Sequence, residues 1–265
     1  MLNPNPITTI RAITAVLRVK NRCSRRRRST GQRFGTEYAG NVKAWAVIGE
    51  TCTPDGNDMW LTKRDEEFVV LLNGKTLMSS RMHGSEEALA TAGCRHLRTA
   101  ERPRVLVGGL GMGFTLRAAL DVLPGDAIVT VAELVPAVVE WNRGPLSPLA
   151  GHPLRDRRVR IDLNDVGFTL RANPGGFDAV LLDVDNGPRA FTTEANQGLY
   201  DNAGVAAAYA ALRDEGVLAV WSAWEDRKFE QRLRYHGFIA HTERVRARLK
   251  KGGAHHTVFL GFKRN

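Results

Sequence analysis

Cysteine is scarce in this sequence, and its three copies lie far apart. Cys23, Cys52 and Cys94 are too few and too scattered for a disulfide framework or a cysteine-based zinc site. Small secreted folds that depend on disulfide bonds are therefore excluded, and we expect a reducing, cytoplasmic setting.

Long apolar runs and metal-ligand clusters are also missing. No apolar run approaches the roughly 20 residues needed to span a bilayer, so no membrane partner is expected. His83 with Glu86, and the pair His255-His256, lack a third ligand at a usable spacing. We therefore predict no metal site.

Acidic residues are nearly absent from one part of the chain, residues 1–40. This stretch holds nine Lys/Arg against Glu37 alone, a net charge of +8 out of the chain's +10, which leaves +2 for the other 225 residues. We interpret residues 1–40 as a basic, disordered tail, with an arm that touches nucleic acid or lipid as the alternative. The nearly neutral remainder predicts no basic face for nucleic acid.

Residues 41–100 are predicted to form a small unit of β-hairpin plus helix. Asn73-Gly74 supplies the two positive φ values of a type I′ turn between two apolar runs. The predicted elements are the hairpin strands, a third strand and a helix: Glu67–Leu72, Lys75–Ser79, Met59–Thr62 and 86–98. Ser85 is the predicted N-cap of that helix.

Glycines gather directly after the first strand of the next domain, residues 101–265. Strand Arg104–Val107 runs into the glycines of Gly108–Gly113 and then into a helical pattern. Such a junction places bare backbone N–H groups beside a cleft, where a nucleotide-like ligand can lie close. Glu133, 24 residues after Gly109, ends the next strand and can accept hydrogen bonds from a ribose diol. Together these features predict a nucleoside ligand.

The glycine spacing argues against a dinucleotide. A G-x-G-x-x-G fingerprint that starts at Gly109 needs Gly or Ala at position 114, where Phe114 stands. The spacing present, G-x-G-x-G, suits a ligand without a pyrophosphate. A tight strand-to-helix turn with no ligand is the alternative interpretation, because a lone glycine motif is weak evidence.

From residue 104 onward, strands and helices alternate, which is typical of a parallel, doubly wound sheet. The predicted strands are Arg104–Val107, Ala127–Ala132, Val159–Leu163, Phe177–Leu182 and Gly216–Ser222. The last two runs, Gly237–Arg248 and His255–Lys263, are joined too closely for a parallel crossover and must pair as an antiparallel hairpin.

These residues resemble the spermidine synthase-like (polyamine aminopropyltransferase) branch of the class I S-adenosylmethionine methyltransferase fold. The likeness rests on Gly108–Gly113, Glu133, Asn164-Asp165 and Leu182–Pro188, and it covers about residues 55–265. It implies an α/β fold whose doubly wound, mostly parallel sheet ends in an antiparallel hairpin, after a small N-terminal β-rich unit.

The resemblance also assigns roles to residues. The implied donor contacts are Gly109, Gly111, Gly113, Glu133 (ribose hydroxyls), Asp165 (adenine amine) and Val166 (adenine ring). By the same likeness, Asp183 would face the sulfonium and the incoming amine. Acid–base chemistry, rather than the resemblance, adds Asp185: an acidic pair of Asp183 and Asp185 could bind the acceptor ammonium and take its proton. The implied co-substrate is S-adenosylmethionine or its decarboxylated form without a metal, the acceptor is a small amine, and relatives of this kind form homodimers.

Three positions depart from that family. Gly111 stands where spermidine synthases carry Asp, Asn186 replaces the carboxylate that takes the acceptor's proton, and Gly84-Ser85-Glu86 replaces Tyr-His-Glu. The sequence therefore predicts a transferase that moves an aminopropyl or methyl group to a small amine or related nucleophile. A non-catalytic binder of the donor or of its thioether product is the alternative.

Overall fold

The structure is a computed structural model that describes residues 43–184, 187–188, 198–248 and 253–264. The predicted basic tail, residues 1–40, lies outside this part. The chain divides into two compact units between Ser79 and Ser80. The predicted boundary after residue 100 differs from this division, because the helix that follows Ser80 was assigned to the small unit of residues 41–100.

The first unit contains a four-stranded antiparallel sheet in the order β1-β2-β3-β4. Its strands are Ala46–Cys52, Asp58–Arg64, Glu67–Leu72 and Lys75–Ser79. Asn73 and Gly74 have φ values of 49° and 77°, as a type I′ turn requires. Strand β1 was not predicted, because its apolar Val47 and Ile48 are exposed and a register shift follows Val47.

The second unit is built on a seven-stranded sheet in the order β10-β11-β9-β8-β5-β6-β7. The strands are Arg104–Gly108 (β5), Ile128–Ala132 (β6), Val159–Asp162 (β7), Phe177–Leu182 (β8), Leu212–Ser222 (β9), Phe238–Arg246 (β10) and His255–Lys263 (β11). Strands β5 to β9 are parallel, whereas β11 runs antiparallel to β9 and β10. The predicted parallel sheet with its closing antiparallel hairpin is confirmed.

Six helices are described in this second unit. They are Gly84–Cys94 (α1), Phe114–Val122 (α2), Pro136–Arg143 (α3), Val166–Ala172 (α4), Asn202–Ala211 (α5) and Arg227–Tyr235 (α6). Helix α1 lies tightly on the sheet, since a Cβ added to Gly93 would stand 2.3 Å from Leu181 of β8 and 3.0 Å from Ala219 of β9. This close approach fixes where the first turn of α1 stands. No helix among the described residues is both long and apolar enough to cross a membrane.

The chain reverses direction across the sheet at β5. From β5 it proceeds to β6 and β7 on one side, and it then crosses back to β8 on the other side. Ligands of such sheets bind in the crevice outside the carboxyl ends of the strands at this switch point. The crevice lies between the ends of β5 and β8, where Gly108 pairs with Leu182.

Candidate functional site

Hydrogen bonds between backbone groups align three predicted site residues along the carboxyl edge of the sheet. The Asp183 N–H donates to the Gly108 oxygen at 2.9 Å, and the Gly109 N–H donates to the Ala132 oxygen at 2.9 Å. The N–H of Glu133 likewise donates to the end of β7 at 3.0 Å. Because neighbouring strands lie about 4.8 Å apart, the backbones of Asp183 and Glu133 stand about 10 Å apart, with Gly109 between them.

The glycine loop between these residues depends on left-handed backbone. Gly109, Gly111 and Gly113 have φ values of 85°, 52° and 86°. A Cβ on Gly109 would stand 2.6 Å from the backbone oxygen of Asp183, so only glycine allows the ends of β5 and β8 to approach this closely. The side-chain amide of Asn142 donates to the Gly111 oxygen at 2.8 Å and holds the loop from α3.

Glu133 is buried and ties the glycine loop to the start of α3. One carboxylate oxygen accepts the Leu110 N–H at 2.9 Å, and the other accepts the Val135 N–H at 2.8 Å. Burial raises the pKa of Glu133, while hydrogen bonds from backbone N–H groups oppose that rise. Each oxygen keeps a further lone pair, so the predicted contact with ribose hydroxyls is compatible with this arrangement and stays a prediction.

Asp165 and Val166 begin α4 beside the same edge. The Asp165 carboxylate caps the helix by accepting the Phe168 N–H at 3.0 Å. Val166 is buried, and its side chain would lie 2.8 Å from a Cβ on Gly108. The two residues therefore help to shape the crevice floor, and their contacts with adenine remain predictions.

Three exposed apolar side chains follow the strand ends on this side of the sheet. Leu134 follows β6, Leu163 follows β7, and Phe168 stands in the first turn of α4, with exposed fractions of 40%, 55% and 51%. Sequence reasoning did not select them. The available signal was an apolar residue within two positions of the ends of β6 and β7, where polar loop residues are expected.

Asp183 stands at the end of β8 against the first turn of α2. The Thr115 hydroxyl donates to its carboxylate at 2.5 Å. Burial raises the pKa of Asp183 to about 6, and the hydrogen bond from Thr115 opposes that rise. Asp185, predicted as its catalytic partner, and Asn186 lie outside the described residues, so the role of Asp185 stays a prediction.

Glu86, in the first turn of α1, is a second carboxyl of this site that the sequence did not predict. Its pKa is raised to about 8, first by burial and then by the nearby charge of Asp183, while a hydrogen bond from Ser85 opposes the rise. The backbone oxygen of Glu86 lies 3.5 Å from the Thr115 hydroxyl. Burial and the repulsion between the two carboxyl groups therefore favour a pair that shares one proton, and carries one negative charge, near pH 7.

Ser85 connects Glu86 to a histidine from the other end of the chain. Its hydroxyl oxygen lies 2.7 Å from a Glu86 carboxyl oxygen and 2.9 Å from Nδ1 of His256. The prediction that Ser85 caps the helix was wrong: α1 begins at Gly84 without a side-chain cap. Trp221 is buried edge-to-face against His256 at 4.7 Å between ring centroids.

Substituting Glu86 by Gln is expected to flatten the pH dependence of stability between pH 5 and pH 8. The Glu86 pKa is raised from 4.5 to about 8, so within this window the folded protein keeps a proton that the unfolded chain has lost. The free energy of unfolding therefore falls with rising pH by at most about 1.4 kcal/mol per pH unit on this account. Gln stays neutral and removes that slope, which urea unfolding at pH 5, 6.5 and 8 measures.

Glu140→Gln is the matched control, since it makes the same chemical change in a helix at a side chain that is 65% exposed. It should retain the wild-type slope. A Glu86→Gln protein that loses stability with pH as steeply as the wild type would show that this carboxyl ionises normally.

Metal binding finds no support in the described ranges, since no three His, Cys, Asp or Glu side chains form a group there that could hold an ion. The sequence had pointed to His83 with Glu86, but His83 contacts Glu87 instead, at 2.6 Å from Nδ1 to a carboxylate oxygen.

Among solved structures, the chain is similar to a spermidine synthase in complex with the transition state analogue AdoDATO. The TM-score is 0.67 at 21% identity, over 87% of this chain and 84% of that one. The spermidine synthase from Thermotoga maritima gives a TM-score of 0.66 at 19% identity, over 88% and 84% of the two chains. No protein-family model and no curated protein matches the chain. The structural likenesses show the fold, which is the spermidine synthase-like fold that the sequence resemblance predicted.

Proposed function

We propose that this protein is a transferase that binds an S-adenosyl sulfonium donor, either S-adenosylmethionine or its decarboxylated form. It moves an aminopropyl or methyl group to a small amine or related nucleophile. One observation carries the proposal: the carboxyl edge of the sheet aligns Asp183, the Gly109 turn and Glu133 within about 10 Å. In an adenosyl sulfonium compound the sulphur is bonded to C5′ of the ribose, so side chains that reach inward from the two ends of this span can face the sugar hydroxyls on one side and the sulphur on the other.

The residues present fit such a donor. Glu133 keeps lone pairs for ribose hydroxyls, and the left-handed glycines bring backbone N–H groups to the crevice. The apolar side chains Leu134, Leu163 and Phe168 offer a surface for an adenine ring beside Glu133. When bound, the donor supplies an activated carbon and a thioether leaving group.

The carboxyl pair fits both reactants electrostatically. Asp183 and Glu86 together hold one negative charge near pH 7, and the pair is half-buried. A sulfonium and an alkylammonium are both cations, so each is attracted to this charge more strongly than it would be in open water. Since the leaving group is already activated, the residues mainly position the nucleophile and exclude water.

Isothermal calorimetry with S-adenosylmethionine, its decarboxylated form and methylthioadenosine tests the proposal, followed by turnover assays on a panel of amines. Stronger binding of the decarboxylated donor supports aminopropyl transfer. Stronger binding of S-adenosylmethionine supports methylation, because Gly111 leaves room for its carboxylate. Binding without turnover on any amine supports the non-catalytic alternative, and a lack of binding by all three compounds overturns both.

A further inference from the structure

A continuous hydrogen-bonded path leads from the carboxyl pair to a half-exposed imidazole. Ser85 is fully buried, and its hydroxyl oxygen contacts Glu86 on one side at 2.7 Å and His256 on the other at 2.9 Å. A serine hydroxyl has one proton to donate and two lone pairs. It can therefore pass a proton on by accepting one and giving up its own.

The protonation state of Glu86 decides which way the hydrogen bonds along this path run. In the structure the Ser85 O–H donates to the Glu86 carboxyl group, which leaves the Ser85 oxygen free to accept from Nδ1–H of His256. When Glu86 is protonated, as its raised pKa favours, the two hydrogen bonds can reverse, so that the Glu86 O–H donates to Ser85 and the Ser85 O–H donates to Nδ1 of the other His256 tautomer. Burial lowers the pKa of His256, which favours the neutral imidazole, whose Nδ1 donates or accepts according to its tautomer. Reversal of these two hydrogen bonds lets the three groups pass a proton from Glu86 to His256.

The surroundings of His256 also indicate a binding site for a polar ligand atom. Trp221 is 8% exposed and packs edge-to-face on the imidazole. Its indole N–H is buried and has no hydrogen-bond partner in the part of the chain that the structure describes. A buried donor without a partner costs about 1–3 kcal/mol, so an unused donor beside the relay suggests a site that a ligand atom completes.

We propose that Glu86, Ser85 and His256 form a proton relay that carries the acceptor amine's proton from the Asp183–Glu86 carboxyl pair to solvent. The inference rests on the transfer reaction proposed above. It gives the acceptor's proton a route to solvent in a chain where Asn186 stands at the position of the resembling enzymes' carboxylate. The ionised carboxylate of the pair receives the proton, whereas Glu86, Ser85 and His256 pass a proton on towards solvent.

The proton and electron balance closes without a further reactant. The acceptor ammonium gives a proton to the carboxyl pair, while Glu86 passes its own proton to Ser85 and Ser85 passes its proton to Nδ1 of His256. The resulting imidazolium releases its Nε2 proton to water. The amine lone pair then forms the new N–C bond as the C–S bond breaks, and the electrons of that bond stay on the sulphur of the neutral thioether.

The charged groups around the relay are few. Glu87 adds to the rise of the Glu86 pKa, and His255 adds to the lowering of the His256 pKa. His256 lies on β11 and pairs with Val245 of β10. Side chains alternate between the two faces along a strand, so Arg244 and Arg246, which flank Val245, lie on the opposite face of the sheet from His256. Of these charges, the Asp183 carboxylate therefore has the largest effect on the pKa of Glu86.

Turnover of Ser85→Ala and His256→Ala by the full-length protein tests the relay. We expect kcat at pH 7 to fall about 100-fold in each, as for loss of a general base, with the donor dissociation constant within twofold of wild type. The Ser85→Ala deficit should shrink from pH 7 to pH 9, because a free amine needs no base. Added imidazole should restore activity to His256→Ala in proportion to its unprotonated fraction, which a structural role would not produce.

His255→Ala is the matched control, being the exposed neighbour on the same strand, and it should keep the wild-type kcat. The relay is overturned if both variants keep kcat within threefold of wild type, or if their deficits respond to neither pH nor imidazole. Should Ser85→Ala fail to fold, the imidazole response of His256→Ala decides alone. If the wild-type protein binds the donor but turns over no amine, both the proposed transfer reaction and the relay are overturned. If the wild type is active and the two variants are slow, both are supported.

Discussion

Asp183→Asn is expected to lower kcat about 1,000-fold at pH 7, the largest effect anticipated for a single substitution in this protein. Asn is nearly isosteric and its side-chain oxygen can still accept the Thr115 hydroxyl that Asp183 accepts at 2.5 Å. The substitution therefore removes the charge and leaves the packing. Steady-state kinetics with saturating donor and amine measure the change.

The pH dependence of this variant provides a second measurement. The Asp183 charge is the second-largest cause of the raised Glu86 pKa, so its removal lowers that pKa from about 8. Burial, the largest cause, remains, and Glu86 still ionises only towards high pH. We expect part of the activity to return between pH 7 and pH 9, as Glu86 takes over the negative charge.

Asp178→Asn is the control for loss of a carboxylate from β8. Asp178 stands at the opposite end of the strand, where it pairs with Arg213 at 3.1 Å and accepts the Arg104 N–H at 2.7 Å. Its replacement should affect stability and leave kcat within about threefold of wild type. If Asp183→Asn were as active as Asp178→Asn, the site would not lie at the end of β8.

Much of the fold follows from short sequence patterns because its determinants lie within a few residues of one another. Asn73-Gly74 predicts a turn whose positive φ values the structure contains, and Pro136 begins α3 as a proline at a first helical position does. The glycine run after β5 likewise predicts left-handed backbone at Gly109 and Gly113. These features needed no information about distant contacts.

Strand β1 escaped prediction because its apolar residues do not alternate in burial. Val47 and Ile48 are adjacent and both exposed, and the pairing with β2 shifts register between Val47 and Gly49. Strand β1 is held in the sheet by its hydrogen bonds to β2, and whether two strands pair depends on both segments together. Periodicity within one segment cannot report it.

The relay escaped prediction for a different reason, since its members are far apart in the chain. Ser85 and His256 are separated by 171 positions, and Thr115 and Asp183 by 68. In the sequence Ser85 is typical of a helix cap, and His256 belongs to a strand pattern. Their meeting depends on how closely α1 packs on the sheet at Gly93, a tertiary contact that no local pattern contains.

Glu133→Gln is expected to weaken donor binding about 100-fold and to lower the free energy of unfolding by about 2 kcal/mol. The Glu133 oxygens accept N–H groups from Leu110 and Val135 at 2.9 and 2.8 Å. A Gln amide offers one oxygen and one NH₂ group, so one buried N–H then faces another donor and loses its partner. Urea unfolding and calorimetry with the adenosyl donor measure the two effects.

The two readouts separate the structural and the binding roles of Glu133. Breaking the tie between the glycine loop and α3 lowers stability whether or not a ligand is present, whereas loss of ribose contacts weakens binding by folded protein only. Glu140→Gln, an exposed change on the adjoining helix, should alter neither quantity. Unchanged stability would contradict the role of Glu133 as a tie. Donor affinity within twofold of wild type, in protein shown to be folded, would place the ribose elsewhere and remove the central support for an adenosyl ligand.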